Sequence, residues 1–173
     1  DIEGAAAHYE KLLARDDLSA YRRIHFSIKL AGIQVERGEP ERALSLYDAA
    51  LADLGPDNWM FHEVHAQTEQ MYHEQNDVAG LIDYYRNRID AGGHEVELML
   101  RLAEQLLMQD QLREAREILN RALNRAPSRT EIRLRLASVC REMEDYQSAI
   151  PHLEVLVRDH PDHLGFRKEL GLA

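Results

Sequence analysis

Residues 99–127 of this chain, MLRLAEQLLMQDQLREAREILNRALNRAP, align without a gap onto residues 133–161, RLRLASVCREMEDYQSAIPHLEVLVRDHP. Ala103 falls on Ala137, Ala115 on Ala149, Leu119 on Leu153 and Pro127 on Pro161, every pair separated by 34. Upstream, segments 8–17, 46–55 and 84–93 align in the same way, with Tyr9, Tyr47 and Tyr85 spaced by 38. A period of this size narrows the fold sharply, because a unit so short cannot bury its apolar face alone and must stack on copies of itself. The two periods differ by 4. That is close to the ~3.6 residues of one α-helical turn, so the longer units carry one extra turn with the same face inward.

Within a unit the apolar residues follow helical spacing. Met99, Leu102, Ala103 and Leu106 form one stripe, and Ala115, Ile118, Leu119, Ala122 and Leu123 form another. The polar stretch Gln109-Asp110-Gln111 between them is long enough only for an antiparallel hairpin. Equivalent turns are Arg37-Gly38-Glu39-Pro40, Gln75-Asn76-Asp77 and Glu144-Asp145. Pro56, Pro127 and Pro161 follow second helices, where a residue without an N–H ends the run. The pattern predicts helices at 2–15, 18–37, 40–53, 57–75, 78–91, 95–109, 112–125, 129–142, 146–158 and 162–172.

These residues resemble the tetratricopeptide repeat family, whose unit is a helix-turn-helix of about 34 residues. The resemblance implies an all-α fold, an α-solenoid of antiparallel helix pairs wound as a right-handed superhelix. The family's small residue midway along the first helix is matched by Ala31, Ala103 and Ala137, with Gly171 in the last partial unit. Its small residue early in the second helix is matched by Ala43, Ala115 and Ala149, and its bulky position four later by Tyr47, Tyr85, Leu119 and Leu153. The second full unit departs from the pattern. Glu69 and Leu81 stand at the small positions and Arg88 stands where Ala50 and Ala122 sit, so looser packing or an altered angle is expected there. The organisation expected is one array: a half repeat at 1–17, repeats at 18–55, 56–93, 94–127 and 128–161, and a half repeat at 162–173. Neither end carries an obvious polar cap and the chain opens on Asp1, which suggests a piece of a longer array.

Composition agrees with a helical protein and removes several functions. Apolar residues make up 45% and aromatic residues only 6%, which disfavours a β-sandwich or a disordered tail. The net charge is −10, so the average surface repels phosphate backbones and nucleic acid is not expected as a ligand. The one cysteine, Cys140, precludes an intrachain disulfide and is compatible with a reducing compartment such as the cytoplasm. No apolar run reaches the ~20 residues a membrane span needs.

Residues able to carry chemistry are present but poorly arranged. His62 and His65 lie one turn apart with His73 further along the same helix, but the order His-Glu-x-x-His is missing and no third ligand follows by spacing. Solvated histidines are the expectation, with a metal-dependent hydrolase the minor alternative. In Asp159-His160-Pro161-Asp162-His163 the proline ends one helix and an aspartate is placed to cap the next. Cys140 shares the inward stripe with Leu106 and Tyr72 and reads as a buried, inert thiol. Serines lie at helix starts or within helices, without an activating turn. Gly92-Gly93 follows a helix rather than a strand, so it reads as a C-terminal cap. No enzyme, metal or cofactor is therefore expected.

In the family, the first helices line the concave face. The resemblance places His25, Lys29, Gly32 and Glu36 there; then Glu63, Gln67, Gln70 and Glu74; then Glu97, Arg101, Glu104 and Met108; then Glu131, Arg135, Ser138 and Glu142. From these, Lys29, Gln67, Gln70, Arg101, Glu104, Met108, Arg135 and Glu142 are the candidate partner-binding residues. The lysine–asparagine clamp of the chaperone-tail-binding members is absent, since Ile28 with Gly32, and Leu100 with Glu104, occupy its positions. The remaining charges form a ladder able to bind a peptide of alternating charge or to pair internally one turn apart. Trp59-Met60-Phe61 either packs on the preceding unit, the favoured reading, or exposes a partner anchor. The expected function is a non-catalytic scaffold that receives a peptide or helix of a protein partner. The alternative is a rigid spacer or self-association segment of a larger protein.

Overall fold

A computed structural model describes residues 1–172. Among them the regular structure consists of ten α-helices: α1 (Ile2–Leu13), α2 (Ala20–Glu36), α3 (Pro40–Leu51), α4 (Trp59–Glu74), α5 (Val78–Ala91), α6 (Glu95–Met108), α7 (Leu112–Arg125), α8 (Thr130–Glu142), α9 (Tyr146–Asp159) and α10 (Leu164–Leu172). Every predicted helix is present, its ends displaced by less than one helical turn. The protein is all-α, its helices pack as sequential antiparallel pairs, and no strand occurs among the described residues.

The hairpin turns repeat in backbone detail. Gly38, Asn76, Asp110 and Glu144 adopt left-handed φ values of 73°, 54°, 57° and 58° at corresponding repeat positions. After each, an amide donates back across the helix end: Glu39 N to Gln34 O, Asp77 N to Tyr72 O, Gln111 N to Leu106 O and Asp145 N to Cys140 O, at 2.8–2.9 Å. This is the Schellman closure, which satisfies carbonyls that a helix end leaves orphaned. Only Gly38 takes this conformation without a Cβ penalty. Gly92 and Gly93, with φ +87° and +88°, end α5 as expected.

Two compact units divide the chain, Asp1–Val78 and Ala79–Ala173. The boundary falls inside the repeat whose small positions hold Glu69 and Leu81. In the first unit, α2 packs against α1 and α3, and α4 covers α3 and touches α2. Its core joins Ile24, Ile28 and Ala31 of α2 to Ala43, Tyr47 and Ala50 of α3 and to Met60, Phe61, Val64 and Met71 of α4. In the second unit α6 pairs with α7 and α8 with α9, while α7 meets α8 and α9 meets α10. The small residues at the crossings, Ala103 with Ala115 and Ala137 with Ala149, are at most 4% exposed, which lets each pair of backbones approach. Leu102, Leu106, Leu119 and Leu136 fill the space between them, each fully buried side chain contributing about 1.5–3 kcal/mol.

Three expectations are corrected. Trp59 is 60% exposed, whereas Met60 and Phe61 enter the core, because three consecutive helical residues cannot all face one way. His65 is fully buried rather than solvated, its ring 4.6 Å from that of Phe61 in an edge-on contact, since i and i+4 share the core stripe. The start of α10 is capped by His163, not by an aspartate: the Phe166 amide donates to His163 Nδ1 at 3.3 Å and the imidazole stacks on the Phe166 ring. Pro151 lies within α9, in its second turn and exposed, where the sequence pattern marks no stop.

Candidate functional site

In the first unit α2 and α4 present their polar stripes side by side. Along α2 the positions are Tyr21, His25, Lys29, Gly32 and Glu36; along α4 they are Trp59, Glu63, Gln67, Gln70 and Glu74, each one long repeat further on. Spacings of 4, 4, 3 and 4 keep every member on one helical face. Tyr21 and Trp59 stand exposed at the upstream end of the two stripes, and the Tyr21 ring lies parallel to His25 with centroids 6.4 Å apart.

Toward the other end the stripes enclose an open cavity of about 460 Å³. Val35, Gly32 and Met71 supply its apolar lining, and Glu36, Glu63 and Glu74 its carboxylates. Gln67, Gln70 and the phenol of Tyr47 complete the wall. Tyr47 is 1% exposed and reaches the cavity from α3, its hydroxyl donating to Gln67 Oε1 at 2.8 Å. Gln67 Nε2 in turn donates to Glu63 Oε1 at 2.5 Å, and Gln70 Nε2 donates to Glu74 Oε1 at 2.7 Å. Burial, and then the charge of Glu63, push the Tyr47 phenol up to about 12. The phenol therefore stays protonated and remains a donor across the physiological range.

The second unit is built differently. Glu97 of α6 pairs with Arg129, just before α8, which also reaches Glu131 at 3.3 Å. Arg135 lies 3.2 Å from Glu131 and 3.9 Å from Glu104. The ladder of alternating charge thus satisfies itself in large part, through half-exposed pairs each worth about 0–1 kcal/mol. Met108 is 62% exposed at the end of α6, Glu142 is exposed at the end of α8, and Arg101 is half-buried on α6.

The candidate residues therefore fall into two sets. Gln67 and Gln70 line the first unit's cavity, with Lys29 exposed one turn upstream of Gly32. Glu104 and Arg135 meet in the second unit. Sequence reasoning misses Tyr47, which it reads only as a bulky packing residue. The available signal is a hydroxyl-bearing residue where later repeats carry Leu119 and Leu153.

Cys140 is 1% exposed, and burial raises its thiol pKa, so the reactive thiolate is disfavoured. Among the described residues no three His, Cys, Asp or Glu side chains are spaced to hold a metal ion, and no helix is long and apolar enough to cross a membrane.

Comparison with known proteins agrees with this geometry. Two models described as tetratricopeptide repeat match residues 1–58 and 96–139, together more than half of the chain. No curated protein sequence matches. Among solved structures, a crystal form of MamA from AMB-1 superposes with a TM-score of 0.55 at 18% identity, over 96% of this chain and 87% of that one. A tetratricopeptide repeat protein from Parabacteroides merdae gives 0.58 at 15% identity, over 98% of this chain and 62% of that one. YrrB, described as a TPR protein with an unusual peptide-binding site, gives 0.55 at 15%, over 96% and 82%. At such identities the likeness concerns the fold alone. With the repeat period, the in-register turns and the family models in agreement, the chain belongs to the tetratricopeptide repeat family.

Proposed function

We propose that the protein is a non-catalytic interaction module whose first-helix faces receive a peptide segment or helix of a protein partner. In this reading the chain is a single array, with repeats at 18–55, 56–93, 94–127 and 128–161 between the two half repeats. Lys29, Gln67 and Gln70 contribute the contacts of the first unit, and Arg101, Glu104, Met108, Arg135 and Glu142 those of the second.

The observation that carries the reading is a division of labour between first and second helices. Second helices direct Tyr47, Leu119 and Leu153 into the core, whereas the first helices α2 and α4 keep a continuous polar stripe beside an open cavity. A rigid helix face bearing polar groups above an apolar floor suits recognition of an extended chain. YrrB, whose description includes peptide binding, shares the fold and makes the reading economical.

Peptide display against the immobilised protein tests it. Selected peptides are expected to lose affinity at least about tenfold, some 1.4 kcal/mol, on charge reversal at Arg101 and Arg135 or on Gln67→Ala. They are expected to retain affinity with Arg121→Glu and Glu154→Lys, exposed changes on second helices. Equal losses from the second-helix changes, or none from the first-helix ones in folded variants, would place binding elsewhere.

A further inference from the structure

We infer that the cavity of the first unit is a seat for an arginine or lysine side chain borne on an extended segment of the partner. The inference rests on the peptide-binding reading above and specifies the ligand's chemistry.

Gly32 is the starting point. It lies well inside α2, where glycine costs about 0.5–1 kcal/mol relative to alanine. A Cβ added there would meet nothing within 4 Å, so neither close packing nor backbone geometry in this chain requires glycine. The corresponding positions of later repeats carry Gln70, Glu104 and Ser138. The missing side chain opens the wall of the cavity, and the space it leaves suits a group the chain itself does not supply.

The lining states what that group is. Tyr47 spends its hydroxyl proton on Gln67, and both glutamines turn an amide nitrogen toward a carboxylate of the wall, Glu63 or Glu74. What the wall offers a ligand is mainly acceptor capacity, because an ionised carboxylate offers about four lone-pair sites, each of these two accepts one bond from a glutamine, and both carboxylates are exposed to an incoming group. Glu36 adds a third carboxylate from the facing helix. A fitting ligand is therefore a cationic donor. A metal ion does not meet the description, since no metal-holding group occurs among the described residues. A side chain with an aliphatic stem does: Val35 and Met71 offer an apolar bed for the stem, and the carboxylates meet the charged head. The net charge of −10 draws the same class of partner from a distance.

Fluorescence polarisation with dye-labelled peptide pools on a Gly-Ala-Ser background, the central residue fixed as Arg, Lys, Glu or Leu, tests the inference. The Arg and Lys pools are expected to bind at least about tenfold more tightly than the Glu and Leu pools. Gly32→Leu, whose Cβ has free space, is expected to fill the opening and abolish the preference while leaving helical circular dichroism intact. Glu36→Gln combined with Glu74→Gln is expected to reduce both the affinity and its salt dependence. Should the Glu or Leu pools bind as well as Arg and lose binding with Gly32→Leu, the cationic inference fails while the peptide-binding reading survives. Arg-pool binding that is indifferent to Gly32→Leu but lost on Arg135→Glu also overturns the inference and moves the seat to the second unit. Absence of binding by every pool overturns it as well, and leaves the broader reading to the display selections.

Discussion

Tyr47 shows how one side chain can serve packing and recognition together. Its ring belongs to the core of the first unit, while its hydroxyl holds Gln67 at the cavity wall. The folded phenol titrates at about 12 against an ordinary value of 10.0, so between those limits the unfolded chain releases this proton before the native protein does. Stability from this group is therefore complete below pH 10 and is lost as pH rises toward about 12. Tyr47→Phe is expected to flatten that alkaline loss in urea titrations, and to remove one late tyrosinate absorbance transition. Gly32→Ala is expected to stabilise the protein by about 0.5–1 kcal/mol, measured by denaturant midpoint, since the site has room and helical backbone. Individual side chains are the least legible level of the sequence. Residue type alone misplaces Trp59 and His65, because their placement depends on a helical phase that shifts by about 100° per residue. A boundary error of a single residue thus moves a side chain between core and solvent.

At the level of elements, repetition makes the reading robust. An apolar stripe recurring at one of two fixed periods sets helix type and approximate limits, because each copy checks the others. Turn conformation is less visible. Gly38 and Asn76 announce a left-handed residue, whereas Glu144 does so only through its register with them. Because a non-glycine residue in that conformation is strained, Glu144→Gly is expected to raise stability by about 0.5–1 kcal/mol in chemical denaturation, and a loss would disprove the strain. At the start of α9, Asp145 accepts from the Ser148 hydroxyl at 2.8 Å and from the Ser148 amide at 3.2 Å, and these bonds hold its carboxyl below the ordinary value of 3.8. The stabilisation is present above that value and disappears as pH falls through the lower, folded one. Ser148→Ala is expected to raise the Asp145 titration midpoint, followed by carboxyl-carbon nuclear magnetic resonance.

For the molecule as a whole, the fold class and family are legible because they rest on spacing, to which many residues contribute at once. The site is only partly so. Spacing marks the first-helix faces as polar stripes, but a list of residues cannot show that Gly32 opens a wall, that Tyr47 reaches through from α3, or that Glu97 and Arg129 consume one another's charge. Those facts arise from how neighbouring helices meet. The central claim is that the first-helix face of the first unit is a ligand seat, and methyl nuclear magnetic resonance of the protein with the Arg-centred peptide pool tests it most directly. The account predicts shifts concentrated at Val35 and Met71 and spread little to Val155 or Leu123, and that pattern should vanish in Gly32→Leu. Shifts centred on Val155 or Leu123, with Val35 and Met71 unmoved at saturating peptide, would contradict it.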